Sequence, residues 1–273
     1  MALDPIESAA LNFILQVERL YAGLIAAAST SVSPEQGLGG RLLCVGELDG
    51  SGRALMVAGN IAGAASLAAT ADGVAQKQAF RDGVVDFLVT TLDEALRILK
   101  NQIRKSETVA VCVAAAPEAI EREMLERGVL PDLLRPADGR AEHSPFTDQG
   151  ARAIVSPAPG ENSTLLVWHV AKAPALWLPK LDAIALDCII ANAGHEDLAA
   201  RRWLRLAPRY LGRLTKGTRV LRCEVENARE FVVRARDAVK RGEIGVKVRM
   251  SFNGENLLAE PTSHSAVESA EST

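Results

Sequence analysis

The sequence predicts an α/β protein built on a doubly wound, mostly parallel sheet and followed by a smaller α/β region. From Arg41 onward, short and nearly continuous apolar runs alternate with amphipathic stretches, which is the pattern of strands covered on both faces by crossover helices. The 273 residues are 48% hydrophobic but only 4% aromatic, so aliphatic strands under tightly packed helices fit better than an aromatic-rich all-β module. The stretch VGELDGSGR, 45–53, joins the first such strand to the first such helix, where this architecture places a glycine-rich turn.

The elements follow in order. Residues 5–31 read as one helix, with Asp4 as its cap, Pro5 in its first turn, and Leu11, Ile14, Leu15, Glu18 and Leu20 at roughly helical spacing. SVSPEQGLGG ends it. Then come strand LLCVG, helix SGRALMVAGNIAGAA, strand SLAAT, helix GVAQKQAFRDG, strand VVDFLV, helix TLDEALRILKNQI, strand TVAVCVAA, helix PEAIEREMLERG and strand PDLL. Gly59 and Gly63 lie four apart on one helix face and permit close approach to the sheet or to a partner. A Pro-, Gly- and Asp-rich loop runs from Arg135 to Asn162. The second region holds strand LLVWHV, helices across 174–214, strand RVLRCEV, helix AREFVVRARDAVKRG and a last strand, VKVRMSF. Pro208 is expected to break or kink its helix. The expected division is 1–155, 156–258 and a polar, disordered tail at 259–273.

Bulk properties narrow the function. A net charge of −3 gives no electrostatic argument for nucleic acid. Cys44, Cys112, Cys188 and Cys223 form no CxxC pair, and three of them sit inside apolar runs, as reduced core thiols do. The N-terminus lacks the basic flank and apolar stretch of a signal peptide, and no segment has about 20 uninterrupted apolar residues. The expectation is a cytoplasmic protein with no membrane segment. The histidines and cysteines never fall at metal-ligand spacing, so no metal is expected.

The candidate ligand site is the turn. Glycines there let backbone approach a pyrophosphate held at the following helix N-terminus, and Asp72 closes the next strand 22 residues after Gly50, near the spacing of an acidic ribose contact. Asp49 and Ser51 read equally as helix N-cap chemistry, and Asp72 as a turn residue.

GRLLCVGELDGSGRALMVAGNIAGAASLAATAD is similar without gaps to the urocanase segment that carries the glycine-rich turn. QKQAFRDGVVDFLVTTLDEALRIL and MLERGVLPDLL resemble the family's next helices and strands, in the family's order, over about residues 8–135. The resemblance implies a Rossmann-like fold and an NAD site. In that family the nicotinamide acts as an electrophile on urocanate and water is added. Carried over by position, the cofactor-binding candidates are Gly46, Gly50, Ser51, Gly52, Arg53 and Asp72.

The pattern also departs from the family. Glu47, Asp49 and Arg53 stand where the family has glycine; the two carboxylates would repel an anion, and Arg53 could offset them with a bond to phosphate. Thr70 takes the place of the family's acid on the second strand. RPADGRAEHSPF replaces the family's polar loop, with His143 as a displaced remnant or a solvated residue, and nothing after Ser163 matches the catalytic segments. No catalytic residue is assigned.

Between Arg201 and Arg222 eight basic residues occur without an acid; they read as an anion surface, or as a solvated face and partners for acids elsewhere. Trp168 and His169 should point to opposite sides of a strand, and His195 reads as helix-terminus chemistry after Gly194. The expected function is a non-catalytic, urocanase-like protein with a degenerate dinucleotide site, holding a nucleotide or small anion and forming a homodimer. The alternatives are a divergent NAD-dependent hydro-lyase of the urocanate hydratase type, or a dimerisation scaffold.

Overall fold

The computed structural model describes residues 5–28, 37–135, 144–155, 162–190, 195–215, 217–252 and 255–261. Asp4, His143, Gly194 and the tail beyond 261 lie outside these residues, as does the side chain of His195.

The first part of the chain is α1 (Pro5–Ala27), β1 (Leu42–Glu47), α2 (Gly50–Ala62), β2 (Ala65–Ala69), α3 (Gly73–Arg81), β3 (Phe87–Val89), α4 (Leu92–Lys105), β4 (Val109–Val113), α5 (Pro117–Glu126), β5 (Leu133–Leu134), α6 (Pro145–Asp148) and β6 (Arg152–Ala153). These strands form one sheet in the order β3-β4-β2-β1-β5-β6, parallel throughout. The chain steps outward from β1 through β2 to β3, and α2 and α3 cover one face. It then steps back through β4 and across to β5, and right-handed crossovers place α4 and α5 on the other. The two cores record this alternation. Val45, Ala68 and Cys112 face α1, α2 and α3; Cys44, Leu67 and Val111 face α4 and α5. The fold is Rossmann-like.

Helix ends follow local chemistry. Thr91 caps α4 by accepting from the Glu94 N–H, and Asp93 and Glu94 in the first turn with Arg104 and Lys105 in the last complement its dipole. α2 approaches the sheet closely because Gly59 has no side chain: a Cβ there would stand 2.7 Å from Ser66 Oγ and 2.8 Å from a Leu43 methyl.

The rest of the chain is β7 (Ser163–His169), α7 (Pro174–Ile190), α8 (His195–Thr215), β8 (Thr218–Glu224), α9 (Val225–Lys240), β9 (Val248–Phe252) and β10 (Glu255–Ala259). Its strands form a separate antiparallel sheet in the order β10-β9-β7-β8. Side-chain parity divides its faces. Trp168 packs at a tilt against Phe231 of α9, with ring centroids 4.9 Å apart, and Arg219, beside Trp168, reaches Asp182 of α7. On the other face Arg222 reaches α1, and the Val220 carbonyl accepts from Trp203 of α8. α1 therefore packs against both α2 and the second sheet. Its buried Glu18 takes a bidentate bond from Arg222 at 2.7 and 2.8 Å.

Several expectations change. The Arg135–Asn162 stretch, read as loop, contains α6 and a sixth sheet strand, β6. β10 extends the second sheet past the expected last strand. α8 runs through Pro208 without a break, because Trp203, Leu204, Ala207 and Leu211 bury its inner face. Ser8–Ala27 is long and apolar enough to cross a membrane by length and composition, with mean hydropathy 1.2. Here it serves as a core helix, burying Ile14, Val17, Leu20, Tyr21 and Leu24.

Candidate functional site

The strand order reverses at β1, whose two neighbours, β2 and β5, are reached by connections of opposite sense. Ligands of open parallel sheets bind outside the carboxyl ends of the strands at such a point. Three features meet there: the turn after β1, the end of β5 at Arg135, and the first turns of α5.

The turn is built residue by residue. β1 loses regular register between Cys44 and Gly46, and Gly46 takes φ +71°, the left-handed region glycine enters without penalty. Leu48 is buried and its N–H bonds the Ala69 carbonyl at 3.2 Å, tying the turn to the end of β2. Asp49 thereby arrives at the N-cap of α2 in extended conformation, and its Oδ1 accepts the Gly52 N–H at 2.6 Å. Gly52 is sterically required, since a Cβ there would overlap the Glu47 carbonyl oxygen.

The other oxygen of Asp49 is bound as well. Arg135 Nη2 donates to Asp49 Oδ2 at 3.0 Å and Arg135 Nη1 to the Glu47 carbonyl at 3.1 Å. The Arg135 N–H bonds the Cys44 carbonyl at 3.1 Å, which fixes the arginine beside β1. Burial works against charge on Asp49. Arg135 and the N–H groups of Gly52 and Ser51 outweigh it and hold this carboxyl below its ordinary range. A helix N-terminus carries unsatisfied N–H groups and about half a positive charge, which is what a phosphate would use. In this chain an internal carboxylate already occupies that position. The opposite end of α2 is closed too: Arg202 of α8 donates from Nε to the Ile61 carbonyl at 2.9 Å, with its guanidinium against Gly37 and Gly63.

Gly46, Gly50, Ser51 and Gly52 thus come together at the turn. Gly50 faces open space, and Ser51 Oγ accepts from Gln16 of α1 at 3.2 Å. Arg53 does not serve the turn. Its guanidinium bonds Asp82 at the end of α3, at 2.6 Å, so the expected offset to the acidic turn comes instead from Arg135. Asp72 caps α3, accepting from Val74 N–H at 2.8 Å and Ala75 N–H at 3.3 Å, and Thr70 Oγ1 accepts the Asp72 N–H. In this structure the Asp72 carboxylate is committed to helix capping.

Glu121 was not foreseen as a site residue. It lies on α5 beside a hollow lined by Cys44, Gly46, Leu67, Ala69, Pro117 and Ile120, with room for about one water. A Cβ on Gly46 would stand 3.6 Å from Glu121 Oε1, so the absent side chain keeps space before the carboxylate. Burial raises the pKa of Glu121, and neighbouring Glu118 adds to the shift. Burial and Glu121 together push the Cys44 thiol up to about 12, which leaves it un-ionised at neutral pH and a poor nucleophile. The only signal in the sequence is a glutamate one turn into a helix, which usually lies in solvent.

The remaining candidates have structural roles. Arg219 pairs with Asp182, Arg222 with Glu18, and Arg202 caps α2, so three of the eight basic residues bond groups elsewhere in the fold. Trp168 and His169 are both buried, and His169 Nδ1 lies 2.9 Å from Thr218 Oγ1. Among the described residues no group of three or more His, Cys, Asp or Glu side chains is arranged to hold a metal. The arrangement at the sheet edge offers hydrogen-bonding carboxylates and one arginine, and its thiol is held protonated.

Comparison with known families bears on this geometry. Residues 17–148 match the family model described as the urocanase Rossmann-like domain, from within α1 to the end of α6.

Proposed function

We propose that this chain, which carries a urocanase-type Rossmann-like domain joined to an antiparallel α/β region, is a non-catalytic small-ligand-binding protein whose dinucleotide turn is self-capped. One observation carries the reading: Asp49 holds the Gly52 N–H and Arg135, occupying with its own charge the place a pyrophosphate would take. A nucleotide or other small anion can enter only by displacing that carboxylate, and the displaced Asp49, with Glu47 beside it, then repels it. Arg135 is the cation such a ligand would meet. NAD is accordingly a weak ligand at best. With Cys44 protonated and buried, and no family catalytic segment after Ser163, the chain is not expected to hydrate urocanate. Cys44, Cys112 and Cys188 are buried thiols outside any disulfide, which supports a reducing, cytoplasmic setting.

Two measurements on the full chain test this. Urocanate absorbance with added NAD should stay flat; a protein-dependent fall would overturn the non-catalytic reading. A thermal-shift series with NAD, ADP and pyrophosphate should move the native protein little, while Asp49→Gly should respond to pyrophosphate. A ligand at 100 times its dissociation constant stabilises a fold by about 2.7 kcal/mol, well within detection. A large NAD shift for the native chain, or no gain in Asp49→Gly, would sink the self-capping account.

A further inference from the structure

We propose that the hollow beside Glu121 is a binding site for the ammonium group of a small primary amine. Its walls are Cys44 of β1, Leu67 and Ala69 of β2, and Pro117 and Ile120 of α5. Cys44, Leu67, Ala69 and Ile120 belong to the core under α4 and α5, so the hollow lies across the sheet from the Asp49 cap of α2. Gly46, at φ +71°, borders it, and a Cβ there would stand 3.6 Å from Glu121 Oε1 and narrow the space before the carboxylate.

Glu121 is half-buried and has no partner. Among the described residues no N–H, hydroxyl or cationic side chain bonds its carboxylate. The fold treats other partly buried acids differently. Glu18 has Arg222, Asp82 has Arg53, Asp182 has Arg219, Asp86 has the Ala110 N–H and Asp132 the Leu42 N–H. Burial costs a carboxylate its hydration, and only hydrogen bonds or an opposite charge return it. At Glu121 the neighbouring charge, Glu118, has the same sign. Arg135, the arginine of the turn, is spent on Asp49 and the Glu47 carbonyl. The missing partner is a cation from outside the chain.

The space selects among cations. It admits a group about the size of one water, which an ammonium is, and its apolar walls suit the adjoining alkyl chain. A quaternary ammonium is too large and has no N–H to donate. An anion is repelled by both Glu121 and Glu118. A metal ion needs several ligands, and among the described residues no group of three or more His, Cys, Asp or Glu side chains is arranged for one. This inference adds a second position to the small-ligand reading. It does not depend on the self-capped turn, which Asp49→Gly tests separately.

The test is a titration of the full chain with methylammonium chloride, followed by amide nuclear magnetic resonance against matched sodium chloride. Saturable shifts are expected at Gly46, Ala69 and Glu121, in the millimolar range because a ligand of so few atoms has little binding energy to offer. Tetramethylammonium and acetate should give none. Glu121→Gln keeps the shape but removes the charge and should weaken binding by about tenfold or more, while the rest of its spectrum shows the fold intact. Glu121→Asp, which draws the charge back by one methylene, should also bind more weakly. Glu226→Gln, on α9, should bind as the native chain does. Shifts that do not saturate would overturn the proposal. So would binding that survives Glu121→Gln, or an equal response to tetramethylammonium.

Discussion

Gly63→Ala probes how the second half of the chain grips the first. Gly63 ends α2 at φ +92°, and a Cβ there would overlap Arg202 Nη2, whose Nε holds the Ile61 carbonyl. Two effects add. An L-residue in the left-handed region costs about 1–2 kcal/mol. Displacing the guanidinium loses a charged hydrogen bond worth roughly 1.5–3 kcal/mol. The sum, roughly 2.5–5 kcal/mol, corresponds to a fall of about 5–20 °C in Tm for a chain of this size. Gly83→Ala is the control: φ is +72° and no atom lies within 4 Å of the added Cβ, so only the backbone penalty applies. Thermal unfolding followed by circular dichroism should therefore show Gly63→Ala losing clearly more than Gly83→Ala. In an Arg202→Ala background the two losses should converge. Equal losses in the native background would mean that Arg202 does not hold α2, refuting the capping argument.

Three further outcomes follow from buried charge. Arg222→Leu strands the buried Glu18 carboxylate and should cost about 3 kcal/mol in urea unfolding, the low end for a broken buried pair because the arginine side chain is 34% exposed; Glu18→Leu with Arg222→Leu should recover much of it, and a silent single variant would contradict the pairing. Glu121→Gln should raise Tm at pH 7. The folded-state pKa of Glu121 lies above its ordinary 4.5, so its charge opposes folding at neutral pH, and the advantage of glutamine should fade as pH falls through the folded value toward about 4.5; a lower Tm at pH 7 would show the carboxylate to be stabilising. Asp49→Asn keeps the cap's acceptor but removes its charge, and should lower stability at neutral pH by roughly 0.3–1 kcal/mol, read as a fall in Tm. The depressed pKa of Asp49 means that its contribution is present above about pH 4 and is lost as pH falls through the lower folded value, so the gap between variants should close in acid; a constant gap would argue against a charged cap.

The strands and helices from Leu42 to Leu134 were legible because their signals are local. Strand runs such as VAVCV are apolar at every position, and helices such as LDEALRILKNQIRK carry their own caps and dipole charges. β6 and α6 span two and four residues, too short for any periodicity, and β6 is held by bonds from the Arg152 N–H to the Asp132 carbonyl and from the Ile154 N–H to the Leu134 carbonyl. Pro208 obeyed tertiary burial over its local preference. At the site, the glycine turn and the capping role of Asp49 could be read from spacing. The closure by Arg135 could not, because 86 residues separate the partners and only the strand order brings β5 beside β1. The Arg53–Asp82 pair is hidden for the same reason, since Asp82 is 29 residues away and nothing local marks it as the partner.

The central claim is that α2 is capped by the chain's own carboxylate and leaves no place for a dinucleotide pyrophosphate. Mass spectrometry of the supernatant after denaturing the purified full chain tests it most directly. The account predicts no NAD in that supernatant, because Asp49 and Arg135 already close the turn. One equivalent of NAD per chain would mean that Asp49 gives way to phosphate, and would contradict it.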